Sequence, residues 1–326
     1  MSSKGKAITG GIEAYRQLCT EVEDIQIFAQ AWYLDALPDY FSWDAVIVEE
    51  KGRVFAALPY VIRKRFGLTL ATMPALVKML GPWLAPEKRS LSDQHKYYRI
   101  LIEGLPMLAS FDQGFHYRVT NWLPFYWKGF QQTTRYSYQL QLDDLERGRS
   151  GIKGNVRREI QKAGEWVAVR HDLGLKEFYR VAMLSFERQG MKNPYSFEYL
   201  KKLDDALIQH NARELFFAVD QDGKVHSVVY LIWDRMSSYF HIAGDDPDLR
   251  DSNASKLLVW EAIQYTREVL HLPVFDFEGS MLPSVEPLRR RFGAEQVPYL
   301  RVWKDWSWGY GLWRGLKDRI GGFIRR

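Results

Sequence analysis

The chain has 326 residues, long enough for two domains of ordinary size that each bury a core. Its net charge is only +5, from 45 basic and 40 acidic residues, which excludes a general polyelectrolyte binder and turns attention to local basic clusters. One cysteine, Cys19, excludes an internal disulfide framework, and the seven histidines fall in no CxxC, HxxxH or HExxH spacing, so a metal-free protein is expected.

The first eleven residues hold two lysines and no apolar signal core, and no stretch reaches the ~18 to 20 apolar residues of a membrane span. A cytoplasmic chain is the expectation. Aromatics make up 15% of the residues, a high share that argues for a well-filled interior plus at least one surface that binds something apolar or ring-like, with core packing the plainer explanation of most of them.

In chain order, an N-terminal pair of helices leads to a hairpin. Ala45 to Phe55 runs as an apolar strand into a charged turn at Gly52, and Ala56 to Arg63 returns. Phe115 to Thr120 reads as a further strand. Trp122 to Arg135 is too polar for a core strand and packs aromatics with amides and cations. There Tyr126 and Trp127 are placed to stack on a sugar or base, with Gln131, Gln132 and Arg135 hydrogen-bonding it. Plugging of its own domain is the plainer alternative. Arg135 to Leu142 alternates as a strand.

Asp143 to Gly151 is rich in charge, glycine and serine and reads as a linker. The helix after it buries Ile152, Val156, Ile160 and Ala163. Its other stripes carry Lys153 with Arg157 and Arg158 with Lys162, each pair about one turn apart, a spacing that lets several cations meet one diphosphate or nucleotide. A solvated helix face is the commoner meaning of that pattern. A strand at Trp166 to Arg170 and helices at Leu175 to Arg188 and Ser196 to His210 follow. Then Phe216 to His226 and Ser227 to Trp233 repeat the first hairpin, with Gly223 standing 171 residues beyond Gly52.

His241 lies on the strand Tyr239 to Gly244, on the face opposite Phe240, where a lone histidine is more often structural than basic. A helix from Ala254 to Val269 precedes the strand Phe275-Asp276-Phe277-Glu278-Gly279-Ser280. Its period of two puts Phe275 and Phe277 on one face and Asp276 and Glu278 on the other. Two carboxylates at a strand end are candidates to orient or deprotonate an amine, with Ser280 beside them; pairing with Arg289 or Arg290 is the structural alternative. A helix capped by Ser284 and a last strand, Tyr299 to Trp303, close the series. In the tail, Leu312, Leu316, Ile320 and Phe323 make an apolar stripe among basic residues, suited to an anionic membrane surface or to docking on the first domain.

The order of helices, hairpin, strand, long helix and closing strands resembles the GCN5-related N-acetyltransferase (GNAT) fold. Two copies in one chain resemble the tandem Fem-type peptidyltransferases and their acetyltransferase-like relatives. The resemblance rests on Ile152 to Ala163, Phe275 to Ser280 and Arg290 to Tyr299. It implies a mixed α/β fold with acetyltransferase-like domains at 1–145 and 146–304 and a basic tail at 305–326. It also implies acyl or aminoacyl transfer to an amine of an envelope precursor or amino sugar, from acyl-CoA or aminoacyl-tRNA. Glu278, Asp276 and His241 would be the catalytic candidates. The substrate side would fall to Lys153, Arg157, Arg158, Lys162, Tyr126, Trp127, Gln131, Arg135 and Ser280, with no metal. The acceptor would be a small or lipid-linked molecule, with tRNA and the inner membrane face (through 307–326) as further partners.

One departure stands out. Relatives that use coenzyme A carry a glycine-rich (R/Q)xxGx(G/A) loop, and the matching place here reads Asp248-Leu-Arg-Asp-Ser-Asn-Ala-Ser255, without glycine. A binding protein that kept the fold without catalysis, or a tRNA-dependent ligase of the peptidoglycan-bridge type, are the alternatives.

Overall fold

The computed structural model describes residues 6–8, 10–142, 152–188, 190, 192–279, 281, 283, 285–312 and 314–315. The linker expected at 143–151, Ser280 and the tail stripe at Leu316, Ile320 and Phe323 lie outside the described residues. The chain divides into two units, residues 1–135 with 298–326 and residues 136–297. These differ in composition from halves cut at 145 and 304, because the strands at 131–141 and 295–305 each change unit part-way along.

Unit 1 is built on β1 (Lys6–Ile8), α1 (Ile12–Glu21), α2 (Ala31–Asp35), β2 (Ser42–Glu50), β3 (Arg53–Arg65), β4 (Leu68–Ala71), β5 (Trp83–Leu84), α3 (Leu91–Glu103), β6 (Ser110–Gly114) and α4 (Leu123–Trp127). The expected hairpin forms: β2 and β3 pair antiparallel across Lys51 and Gly52, both at positive φ, the two-residue turn that matches strand twist. β4 continues from β3 and lies parallel to β6. Residues Arg301–Asp305 of the final strand pair antiparallel with β6. Val46 and Val48 pack beneath Tyr97 and Leu101 of α3. The alternate Ile47 meets the start of α1 so closely that a Cβ on Gly11 would lie 2.4 Å from it. Ser90 caps α3 by accepting the Asp93 N–H at 3.1 Å.

Unit 2 orders its sheet β7-β12-β11-β10-β9-β8, from β7 (Gln131–Gln141), β8 (Ala168–Arg170), β9 (Arg213–Val219), β10 (Val225–Trp233), β11 (Ser237–Asp245) and β12 (Val274–Asp276). Only β11 and β12 are parallel, as their helical crossover α8 (Ala254–Glu268) requires. α8 and α5 (Gly154–Trp166) cover one face, where Val156, Ala163, Leu258 and Ala262 enclose Phe275, Phe277 and Phe292. On α6 (Leu175–Arg188), Phe178 packs against Phe217 and Tyr230. Gly244 of β11 approaches α6 so closely that a Cβ there would sit 2.4 Å from Ala182 Cα. α7 (Phe197–Gln209) is capped by Ser196, and α9 (Glu286–Arg291) starts with a proline in its first turn. β12 is shorter than the strand expected over 275–280. It stops at Asp276 because Glu278 and Gly279 both take left-handed backbone, φ 57° and 61°.

Candidate active site at the end of strand β12

The alternation read from the sequence sorts side chains by chemistry. Phe275 and Phe277 stack edge to face at 4.9 Å in the aromatic layer with Phe240. Asp276 and Glu278, both buried, face the other way. His241 follows Tyr239, which pairs with Asp276, by two residues along β11, so the period of two brings it to the same side. Its Nδ1 lies 2.6 Å from Glu278 Oε1, and both side chains are almost wholly buried.

Asp276 is held by three donors. Ser137 Oγ and the Glu278 backbone N–H (2.7 Å) donate to Oδ1, and Gln139 Nε2 donates to Oδ2 at 2.8 Å. Ser137 and Gln139 reach it because β7 pairs antiparallel with β12, Gln139 opposite Asp276. Burial pushes the Asp276 carboxyl up to about 6 against the pull of these donors, and the charge on Glu278 pushes the same way. The left-handed turn after β12 is fixed by contact: a Cβ on Gly279 would lie 2.0 Å from the Tyr136 carbonyl oxygen. Glu278 pays no such clash but sits in a conformation rare for its type, a feature that concentrates at functional sites.

Arg289 of α9 completes the cluster. It is 8% exposed, donates from Nη2 to the Phe277 carbonyl oxygen at 3.0 Å, and lies over the Tyr138 ring. Its Nε and Nη1 are buried with no hydrogen-bond partner. Burial lowers its guanidinium from the usual range, opposed by the charges of Glu278 and Asp276. The alternative pairing of a site carboxylate with Arg290 does not form, since Arg290 is bound to Glu286 at 2.9 Å.

The other residues read from the sequence lie elsewhere. Lys153, at the N-cap of α5, and Arg157, Arg158 and Lys162 along it are exposed; that helix covers the Phe275 and Phe277 face, while the carboxylates turn to the opposite face. Tyr126 and Trp127 are 59% and 58% exposed on α4, whose buried side is Phe125. Gln131 is exposed and Arg135 half-buried on β7, and neither lines the cleft of unit 1.

That cleft, of about 380 Å³, opens in unit 1 beyond the end of β6. Arg89, Gln94, Tyr98, His116 and Arg118 are among its lining residues. His116 Nδ1 accepts the Arg118 backbone N–H at 3.2 Å, so its proton sits on Nε2. Burial and the nearby Arg118 charge push its imidazole down to about 3, so it stays neutral at physiological pH. Ser137, Gln139 and Arg89 carried no motif.

The degenerate loop at 248–255 is a 3-10 turn, Pro247–Ser252, followed by Asn253 at φ 57°, where the expected fold would place glycine. Lys256 Nζ donates to the Asn253 side chain and pairs with Glu159 at 3.1 Å, and Asp246 accepts the Asp248 N–H. The carboxylates of Asp246, Asp248 and Asp251 in the turn before α8, rather than in its own first turn, oppose a pyrophosphate there. Among the described residues no group of three or more His, Cys, Asp or Glu is placed to hold a metal, and no helix is long and apolar enough to cross a membrane.

Residues 150–284 match the acetyltransferase (GNAT) domain family. No curated protein matches the sequence. Among solved structures, FemX superposes with a TM-score of 0.66 at 12% identity, covering 90% of this chain and 96% of its own. A tandem GNAT protein from the clavulanic acid biosynthesis pathway gives 0.58 at 9% identity, covering 91% and 97%. The C-terminal domain of a putative lysylphosphatidylglycerol synthetase from Agrobacterium fabrum gives 0.58 at 13% identity, covering 95% of each. The fold is therefore mixed α/β of GNAT acyltransferase type, and tandem GNAT proteins resemble it along most of its length.

Proposed function

We propose that the chain transfers an acyl or aminoacyl group to an amine on a cell-envelope precursor or amino sugar, with unit 2 supplying the proton chemistry. The observation that carries this reading is Glu278, held in left-handed backbone at the end of β12 with its carboxylate 2.6 Å from His241. In such a transfer the amine nitrogen bonds to the acyl carbon while the donor's C–S or C–O bond breaks. The proton lost by the amine passes to the base and then to the leaving thiolate or hydroxyl.

Glu278 is the base in this assignment, and His241 orients it and shares the proton. Asp276 is a positioning residue, since its oxygens are spent on Ser137, Gln139 and the Glu278 N–H. The unfilled donors of Arg289 suit an anionic group on substrate or intermediate. The acidic turn before α8 favours an aminoacyl donor over coenzyme A, since residues 248–255 lack the glycines of a pyrophosphate-binding loop. The cleft of unit 1, with Arg89 and Arg118 at a neutral His116, is assigned to an anionic substrate portion.

The test is calorimetry with acetyl-CoA, a long-chain acyl-CoA and charged tRNA, followed by turnover of the donor that binds. Glu278→Gln should lower kcat about a hundredfold or more. Binding of none of the three donors would remove the enzyme reading in favour of a binding protein of the same fold.

A further inference from the structure

The β3–β4 hairpin ends in Arg63-Lys64-Arg65-Phe66-Gly67, and its tip is unusual in both chemistry and backbone. Phe66 and Gly67 form the two-residue turn between Arg65 and Leu68, at φ 50° and 71°. Turns of this kind favour asparagine or glycine at the first position, since a large side chain is poorly tolerated there. Here that position holds a phenylalanine that is 84% exposed. Packing does not explain it, because the ring projects from the fold.

Around it the surface is both basic and apolar. Arg63, Lys64 and Arg65 are exposed, and Arg63 and Lys64 pair with no carboxylate among the described residues. An apolar hollow of about 230 Å³ runs between Phe66 and Leu68 of the hairpin and Gly309 and Tyr310. Trp308 is 81% exposed in the same C-terminal stretch, and Tyr40 is exposed beside Arg63.

We infer that this hairpin tip is a wedge for an anionic lipid surface, Phe66 entering the headgroup region while Arg63, Lys64 and Arg65 meet lipid phosphates. The charge is complementary to such a surface and the apolar residues are grouped with it. A nucleic acid fits less well. The guanidinium of Arg65 lies 4.9 Å from the Phe66 centroid and that of Arg63 lies 5.3 Å from Tyr40, so one face of each ring is already covered and only the other is left for base stacking. Insertion between lipid headgroups needs no free face. The inference does not depend on the acyl-transfer reading.

The full chain would be floated with vesicles of pure phosphatidylcholine and of phosphatidylcholine with about a third phosphatidylglycerol, at about 0.1 M salt, near a 10 Å screening length. Wild type should bind only the anionic vesicles. Phe66→Asn suits the turn and should keep or raise the melting temperature while weakening binding about fivefold or more. Lys64→Glu with Arg65→Glu should abolish binding. The inference is overturned if wild type ignores anionic vesicles, or if Phe66→Asn binds them within twofold of wild type. It is equally overturned if the substitutions reduce binding of tRNA and leave lipid binding intact.

Discussion

Asp276→Asn should make unit 2 less sensitive to pH between about 4 and 6.5. The wild-type carboxyl ionises near 6 in the folded chain, against an ordinary value of 3.8. A displacement of about 2 pH units corresponds to roughly 3 kcal/mol of differential stability. Because the folded value is raised, the favourable contribution is complete below pH ~3.8. It is lost as pH rises towards 6, at about 1.4 kcal/mol per unit, while the unfolded chain releases a proton that the fold retains. Asparagine preserves the geometry: its Oδ1 can still accept from Ser137 and the Glu278 N–H, and its amide can meet a flipped Gln139 amide. Urea unfolding followed by tryptophan fluorescence from pH 3.5 to 7.5 at fixed ionic strength would measure both proteins. The difference between them should grow by about 3 kcal/mol in favour of the variant as pH rises. Curves that stay parallel within about 0.5 kcal/mol would refute the reasoning. So would a wild type that gains on the variant with pH, because the three donors would then outweigh burial.

Other substitutions probe the supports of the site. Gly279→Ala should cost about 3 kcal/mol or more, since its Cβ would fall 2.0 Å from the Tyr136 oxygen and the residue already sits at positive φ; a melting temperature within about 2 °C of wild type would contradict this. Phe275→Ala should lose about 3 to 5 kcal/mol in chemical denaturation from a fully buried position, and a loss under about 1 kcal/mol would mean the aromatic layer collapses to fill the gap. In unit 1, the His116 imidazole is depressed to about 3, so the fold is stable above the unfolded value and loses stability as pH falls below ~6.5. That amounts to about 2 kcal/mol at pH 5, which His116→Asn should abolish in a pH series of melts.

The strand-end alternation was legible in the sequence because it depends only on the period of two. Phe275 and Phe277 go to the aromatic layer and Asp276 and Glu278 to the other side without reference to anything distant. His241 could be placed on a face but not beside Glu278, since that contact depends on the parallel register of β11 and β12, set by the α8 crossover. Ser137 and Gln139 were hidden for a stronger reason. They stand about 140 residues before Asp276, and their use follows from antiparallel pairing of β7 with β12, which no local pattern encodes. The duplicated hairpins announced two similar domains, but strands that change unit along their length carry the same hydrophobic alternation wherever they pair.

Left-handed backbone at Glu278 separates a working residue from a structural one. If the carboxylate served only to satisfy His241, Glu278→Asn should leave turnover unchanged, with the strain relieved at φ near 57° set against the buried His241 contact that the shorter side chain gives up. If the turn instead aims the carboxylate for proton transfer, asparagine should relieve backbone strain of about 1 kcal/mol and yet fail as a base. Its amide cannot take a proton, and its shorter side chain withdraws from a partner now at 2.6 Å. Two readouts decide between these. Turnover should fall about a hundredfold or more in both Glu278→Asn and Glu278→Gln. Denaturation midpoints should differ between the two, because glutamine keeps the strain and the reach while asparagine gives up both. Retained turnover in either variant would show that the left-handed turn is a packing solution around Gly279 and Tyr136, and that the base must be sought elsewhere on the same face.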